Sequence, residues 1–177
     1  MSKTLPSRER ALQLLFENGC SVQVVNHCRA VAKLALETAE SLKRKGLDVN
    51  VELVEVGALL HDIGRSRTHG VNHVIEGIAI ARQAGLPDSV VAIIRRHVGG
   101  GISVDEAKAL GWPNGDSYVP VTLEEKIVSY ADKLIENGKR VPVNRVIEQL
   151  HRESKPEAAE RIRRLHKEIT VLLGDPR

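Results

Sequence analysis

The residues most able to do chemistry are histidines and aspartates placed along apolar helical stretches. His61 and Asp62 form a vicinal imidazole and carboxylate pair within Leu59-Leu60-His61-Asp62-Ile63-Gly64-Arg65. Leu53, Val56 and Leu60 recur ahead of it at helical spacing, which predicts the pair at the end of a core-facing helix that Gly64 then breaks. Two buried ionisable groups require a compensating partner, and a cation suits an imidazole and a carboxylate together. His27 shares a face with Val31, Leu34, Thr38 and Leu42, and Asp132 shares one with Val128 and Ile135, so both are directed toward the core. With His73 and His97 the potential donors number six, enough for two ions bridged by one carboxylate. A mixed nitrogen and oxygen set accepts Mn, Fe, Co, Ni or Zn, with Mg admitted as well.

Helices must position these side chains, and no strand series interrupts them. The caps and breakers predict a first helix over about 8–17 closed by Gly19, then a long second one capped by Ser21 and stopped by Gly46. Asn50 caps the helix that carries the His-Asp pair. Helices follow over about 72–84 and 88–97, the latter stopped by Gly99-Gly100-Gly101, which reads as a flexible turn. Ser103 and Thr122 open capping boxes, the second starting a helix through Ile135. Trp112 to Pro120 reads as a loop able to act as a lid. Beyond the Asn137-Gly138 turn, Val143 to Arg152 reads as a helix. Ser154-Lys155-Pro156-Glu157 caps a last one with Ala158, Ile162, Leu165, Ile169 and Leu172 on one face.

The 177 residues, 42% hydrophobic and 28% charged, describe one globular domain over 1–177, with a motif-bearing core of about 21–137 and a helical extension of about 143–173. No apolar run approaches the roughly 20 residues needed to span a membrane, which excludes a membrane partner. The N-terminal stretch lacks a secretory pattern, so a cytoplasmic location is expected. Cys20 and Cys28 lack Cys-x-x-Cys spacing and read as buried thiols. Residues 139–168 hold nine Lys/Arg against five Asp/Glu, so the net charge of +3 resides in the C-terminal helices. That balance suits a nucleotide or RNA partner, but aromatic residues at 2% exclude stacking platforms for single strands.

The order His27, then His61-Asp62-Ile63-Gly64, then His73 with Gly77, then His97, then Tyr130-Ala131-Asp132-Lys133 resembles the HD-domain superfamily, in particular its two-metal HDIG branch. The resemblance covers most of the chain. It implies an all-α bundle with a five-helix core and a metal-dependent phosphohydrolase using one or two divalent ions. His27, His61, Asp62 and Asp132 would hold the first ion, and Asp62 would bridge to a second held by His73 and His97. A metal-bound hydroxide would then attack phosphorus in a nucleotide or nucleotide-like phosphoester or phosphoanhydride. Arg65, His69 and Lys133 lie near ligands in sequence and are the candidates for binding phosphate beside Asp62. The segment 99–120 contains nothing that names a base or sugar pocket, so the dinucleoside substrates of some members do not transfer.

Other patterns are weaker. His69-Gly70-Val71-Asn72-His73 lacks the glutamate of a metalloprotease helix, and Gly99-Gly100-Gly101 lacks the order of a dinucleotide loop. His151 and His166 read as ordinary surface residues. Two rival functions remain open in the sequence: a di-iron oxygenase on the same ligands, and a non-catalytic nucleotide- or RNA-binding module using Arg161, Arg163 and Arg164. The apolar stripe of the last helix suits either the core or contact between copies in a homo-oligomer.

Overall fold

The computed structural model describes residues 4–113 and 117–175. Its architecture follows from helix α3 (Val51–Leu60), whose residues from Val56 onward are buried on all sides. A helix apolar all round must be enclosed. It is packed by α1 (Arg8–Glu17), α2 (Val22–Arg44), α5 (Asp88–Arg96) and α7 (Leu123–Lys133). Helix α4 (His73–Gln83) lies on α5 and on the 3-10 turn Ile63–Ser66. Helices α2, α3, α4, α5 and α7 thus make the expected five-helix core of an all-α fold.

The local signals act as predicted at several ends. Ser21 accepts from Val24 N, Asn50 from Leu53 N, and both capping boxes close with their glutamates, Glu106 for α6 (Val104–Ala109) and Glu125 for α7. Each such cap satisfies an otherwise unpaired helical N–H.

Four local expectations are corrected. Helix α7 ends at Lys133, and Ile135–Glu136 (β1) pairs antiparallel with Lys139–Arg140 (β2) through a turn in which Asn137 and Gly138 take φ of 49° and 74°. These are the positive values that a tight hairpin turn demands. Ser154 does not cap the last helix, because Lys155 occupies that position before α9 (Pro156–Leu173). The glycines at 99–101 form a packed corner: a Cβ on Gly101 would meet Val119 Cα and Pro120 Cδ at 2.8 Å, and one on Gly100 would meet Arg161 Cβ at 3.2 Å. Nor does the segment after α6 hang free. Trp112 is buried, donates from Nε1 to Asn72 Oδ1 at 2.8 Å and packs its ring 4.9 Å from Tyr118, while residues 114–116 of that loop lie outside the described residues.

The C-terminal helices, α8 (Val143–Arg152) and α9, pack on each other, and α9 covers α7 and the glycine corner. Ala158, Ile162, Leu165 and Ile169 are buried there, so the stripe of the last helix faces this chain's own core. No described helix is long and apolar enough to cross a membrane.

Candidate metal centre

The centre is built from helix ends. His61 caps the C-terminus of α3, His73 begins α4, and His97 caps the C-terminus of α5. Asp132 lies in the last turn of α7, His27 in the second turn of α2, and Asp62 in the link to the 3-10 turn at φ −102°, ψ 14°. Helix ends converge here because Gly64 lets the 3-10 turn touch α4: a Cβ at Gly64 would stand 1.8 Å from the His73 carbonyl oxygen. Close approach, rather than helix breaking, is what this glycine supplies.

Three of the rings are oriented in the same way. Nδ1 of His61 donates to the Ala58 carbonyl at 2.7 Å, Nδ1 of His73 to Gly70 at 2.8 Å, and Nδ1 of His97 to Ile94 at 2.8 Å. A carbonyl only accepts, so the proton of each neutral ring is on Nδ1 and the Nε2 lone pair is aimed inward. Such outer hydrogen bonds fix tautomer and direction in metal-ligating histidines.

The two oxygens of Asp62 face different neighbours. Oδ2 lies 3.6 Å from His61 Nε2 and 3.8 Å from His27 Nε2, whereas Oδ1 lies 3.1 Å from His73 Nε2 and 3.4 Å from His97 Nε2. Asp132 Oδ1 completes the first half at 2.9 Å from His27 Nε2 and 3.3 Å from His61 Nε2. All six sequence-predicted donors therefore meet, in overlapping groups whose donor atoms lie within 4.8 Å of one another.

A cation fits what these atoms lack. His61 Nε2 and Asp62 Oδ1 are buried without a hydrogen-bond partner among the described residues. His73 Nε2 and His97 Nε2 face each other at 3.1 Å with both Nδ1 protons committed elsewhere. Two lone pairs at that separation repel unless a proton or cation lies between them. Burial alone pushes the His61 imidazole down, but the Asp62 and Asp132 carboxylates prevail and raise it to about 9. Burial likewise works to raise both carboxylates; the histidines around them hold Asp62 and Asp132 well below the usual range. The centre, as drawn by its own charges, is a pair of anions seeking positive charge. Burial pushes up the thiols of Cys20 and Cys28, and the negative charge of Asp62 adds to it; neither cysteine belongs to the clustered groups, which offer nitrogen and oxygen donors alone among the described residues.

The remaining candidates surround this centre. Arg65 donates from Nε to Asp62 Oδ2 at 2.7 Å and from a terminal nitrogen to the His69 carbonyl at 3.0 Å. His69 is exposed and lines a depression with Ser21, Gln23, His27, Asp62 and Arg65. Lys133 lines a cleft of about 280 Å³ on the other side of His27, with Arg65, Asp132 and Lys155. Lys139 and Arg140 are exposed on β2.

Two readings of the tail change. His166 lies 2.6 Å through Nδ1 from the Tyr130 hydroxyl and is half-buried, unlike the exposed His151. Arg161 turns inward to Glu106 at 3.0 Å and the Gly99 carbonyl at 3.4 Å, which leaves Arg163 and Arg164 outward, both on Glu160.

The profile of the HD domain family matches residues 24–137, the span that supplies all six donors. The chain belongs to the HD-domain family. Among its relatives, an uncharacterised protein of Methanocaldococcus jannaschii is 50% identical over 144 residues, covering 81% of this chain and 84% of that one. A Thermoplasma volcanium protein named tRNA (cytidine(56)-2'-O)-methyltransferase is 41% identical over 172 residues, which is 97% of this chain and about half, 49%, of that protein. Among solved structures, the HD domain of the L. monocytogenes phosphodiesterase PgpH in complex with cyclic-di-AMP aligns with a TM-score of 0.55 at 17% identity, over 93% of this chain and 96% of that one. That likeness is one of HD fold.

Among the lining residues, Gln23, Asn26 and Gln149 carry no mark in the sequence, and Asn137 reads there only as a turn residue. They are uncharged and sit on solvent-facing positions, where an amide carries no signal of its own.

Proposed function

We propose that this HD-domain protein is a divalent-metal-dependent phosphohydrolase acting on a phosphate ester or anhydride of a nucleotide or nucleotide-like molecule. The observation that carries the proposal is the convergence of His27, His61, Asp62, His73, His97 and Asp132, with Nδ1 of His61, His73 and His97 tied to carbonyls so that their Nε2 atoms face inward. His27, His61, Asp62 and Asp132 would hold one ion, and Asp62, His73 and His97 a second. Bound divalent ions would supply a water of lowered pKa and would neutralise phosphate charge.

The chain's own groups divide the remaining work. Asp62 offers one oxygen to each half of the centre, which ties the halves to a single carboxylate. Arg65 and Lys133, on either side of the opening, provide fixed positive charge for phosphate oxygens, and the His69 ring at the rim adds a hydrogen-bonding group there.

An RNA partner is a second, finer reading. The name of the T. volcanium relative supports it, together with the outward Arg163 and Arg164 of α9.

The test is a metal-replete sample screened against mono-, di- and cyclic nucleotides, dinucleoside polyphosphates and short RNA. Turnover that Asp62→Ala abolishes is expected. Turnover that survives this change, or oxygen uptake with iron and no phosphate release, overturns the proposal.

A further inference from the structure

The centre opens to solvent along one edge. The side chain of His27 is 26% exposed and that of Asp132 14%, whereas Asp62, His73, His97 and His61 are at 5%, 3%, 2% and 0%. A substrate therefore arrives over His27, and the parts of it that do not react must lie in the depressions that meet at this ring.

Among the described residues, depressions that meet at this ring differ in charge. The cleft toward α8 carries Lys133 and Lys155 with Glu136 and Glu153, and Arg65 enters it from the far side. The one toward the Arg65 loop carries Arg65 and His69. The third, about 410 Å³, is lined by Gln23, Asn26, His27, Asn137 and Gly138, and contains no carboxylate, lysine or arginine. A phosphate has cations to meet in the first two. In the third it has none.

What the third depression does present is amides. Gln23 and Asn26 project from the first turns of α2, Gln23 also bordering the Arg65 depression, and Asn137 projects from the hairpin tip opposite. No described residue hydrogen-bonds to these three side chains, so their donors and acceptors are free for a ligand. The tip is held in place, since β1 and β2 pair at Ile135 with Arg140 and Glu136 with Lys139, and β1 packs on α2. An amide offers one acceptor and two donor hydrogens, the complement of a nucleobase edge or of ribose hydroxyls. Among the described lining residues no aromatic ring other than His27 is present, so recognition there runs through hydrogen bonds rather than stacking. A volume of about 410 Å³ falls within the range of small-ligand pockets, about 300 to 1,000 Å³.

We propose that Gln23, Asn26 and Asn137 form a neutral subsite that takes the nucleoside of a substrate whose phosphate lies at the centre. The inference rests on the phosphohydrolase reading for where the phosphate lies. It makes these residues determinants of specificity: they distinguish a nucleotide from a bare phosphate ester and do not touch the reacting atoms.

The experiment compares two slowly hydrolysed probes on the manganese-loaded full chain by calorimetry: adenosine 5'-thiomonophosphate and inorganic thiophosphate. Adenine is the suitable base, because its edge pairs with both ends of an Asn or Gln amide. The variant is Gln23→Ala/Asn26→Ala/Asn137→Gly. Alanine suits exposed helix positions, and glycine keeps the positive φ of the turn while deleting the amide. Asn137→Gly alone serves as a second variant.

The expected result is that the unaltered protein binds the nucleotide at least about tenfold more tightly than thiophosphate, the worth of two or three modest hydrogen bonds. In the triple variant the ratio falls below about threefold through loss of nucleotide affinity alone, and Asn137→Gly gives an intermediate value. Equal binding of the probes by the unaltered protein, a ratio that the triple variant keeps, or equal weakening of both probes overturns the subsite. If Asp62→Ala retains turnover while the ratio behaves as expected, the phosphohydrolase reading fails and the nucleoside subsite stands.

Discussion

Arg65 stands on Asp62. Its Nε donates to Oδ2 at 2.7 Å, to the very oxygen that faces His27 and His61. A metal ion in that half of the centre competes with the guanidinium for the same lone pairs. Replacing Arg65 by Gln is expected to tighten metal binding by about fivefold, roughly 1 kcal/mol for a partly exposed pair. The same change should raise KM for a phosphorylated substrate, since it removes a fixed charge from the opening. Competitive metal titration and steady-state kinetics check the two opposite effects.

Metal loading should stabilise the fold. The native state alone assembles the inward lone pairs and the unpartnered Asp62 Oδ1. At a free-metal level about 100-fold above Kd, linkage gives about 2.7 kcal/mol, which for a chain of this size raises Tm by about 5 to 10 °C. Thermal denaturation with and without a chelator measures the shift, and Asp62→Ala should eliminate most of it.

Gly64→Ala tests the close approach beneath the centre. Its Cβ would stand 1.8 Å from the His73 carbonyl oxygen and 2.5 Å from Gly77 N, both backbone atoms of α4. Overpacking of that kind costs about 3 kcal/mol, so Tm should fall by about 6 to 12 °C. The metal-induced shift should shrink as well, because α4 carries His73. A variant as stable as the parent would show that the loop shifts without cost.

Arg96 and Glu125 hold the segment before α7 against the end of α5. One terminal nitrogen of Arg96 reaches both carboxylate oxygens at 2.7 and 2.9 Å, and Glu125 also accepts from Val121 N at 2.7 Å. The carboxylate is 4% exposed, so Glu125→Ala leaves the mostly buried guanidinium next to His97 without its countercharge, held only by the Ser117 carbonyl at Nε. A loss of about 3 kcal/mol in urea denaturation is expected.

The pH dependence of stability has a contribution from His166. Burial lowers its imidazole below the ordinary 6.5, and the nearby Arg140 lowers it further. The unfolded chain therefore takes up the proton more readily than the folded one. The stability due to the neutral ring is complete above 6.5 and declines as pH falls through that value toward the folded one. Between pH 7.5 and 5.5 the parent should lose more stability than His166→Asn. Urea denaturation across that window supplies the comparison, in which the other histidines cancel.

Four of the six candidate donors carry a local mark in the sequence. His61-Asp62 follows an apolar helical run, and His27 and Asp132 interrupt apolar stripes, patterns that span a few turns of one helix. Ser21, Asn50, Ser103 and Thr122 announce helix starts through bonds three residues away. What escaped depends on distant partners. Arg161 lies one helical turn from Glu157 in sequence, yet it bonds to Glu106, 55 positions away. The glycines at 99–101 look the same in sequence whether they bend freely or make room for α9, and the structure shows the second. Asn137-Gly138 marks a turn, but strands of two residues are too short to leave a periodic pattern.

The chain has one tryptophan. That residue, Trp112, is buried, and its indole nitrogen donates to Asn72, the neighbour of His73 in sequence. The protein thus contains its own optical probe at the base of the helix that delivers one of the imidazoles. Emission excited at the red edge of protein absorbance follows a single environment, with no second indole to blur it and no label to attach.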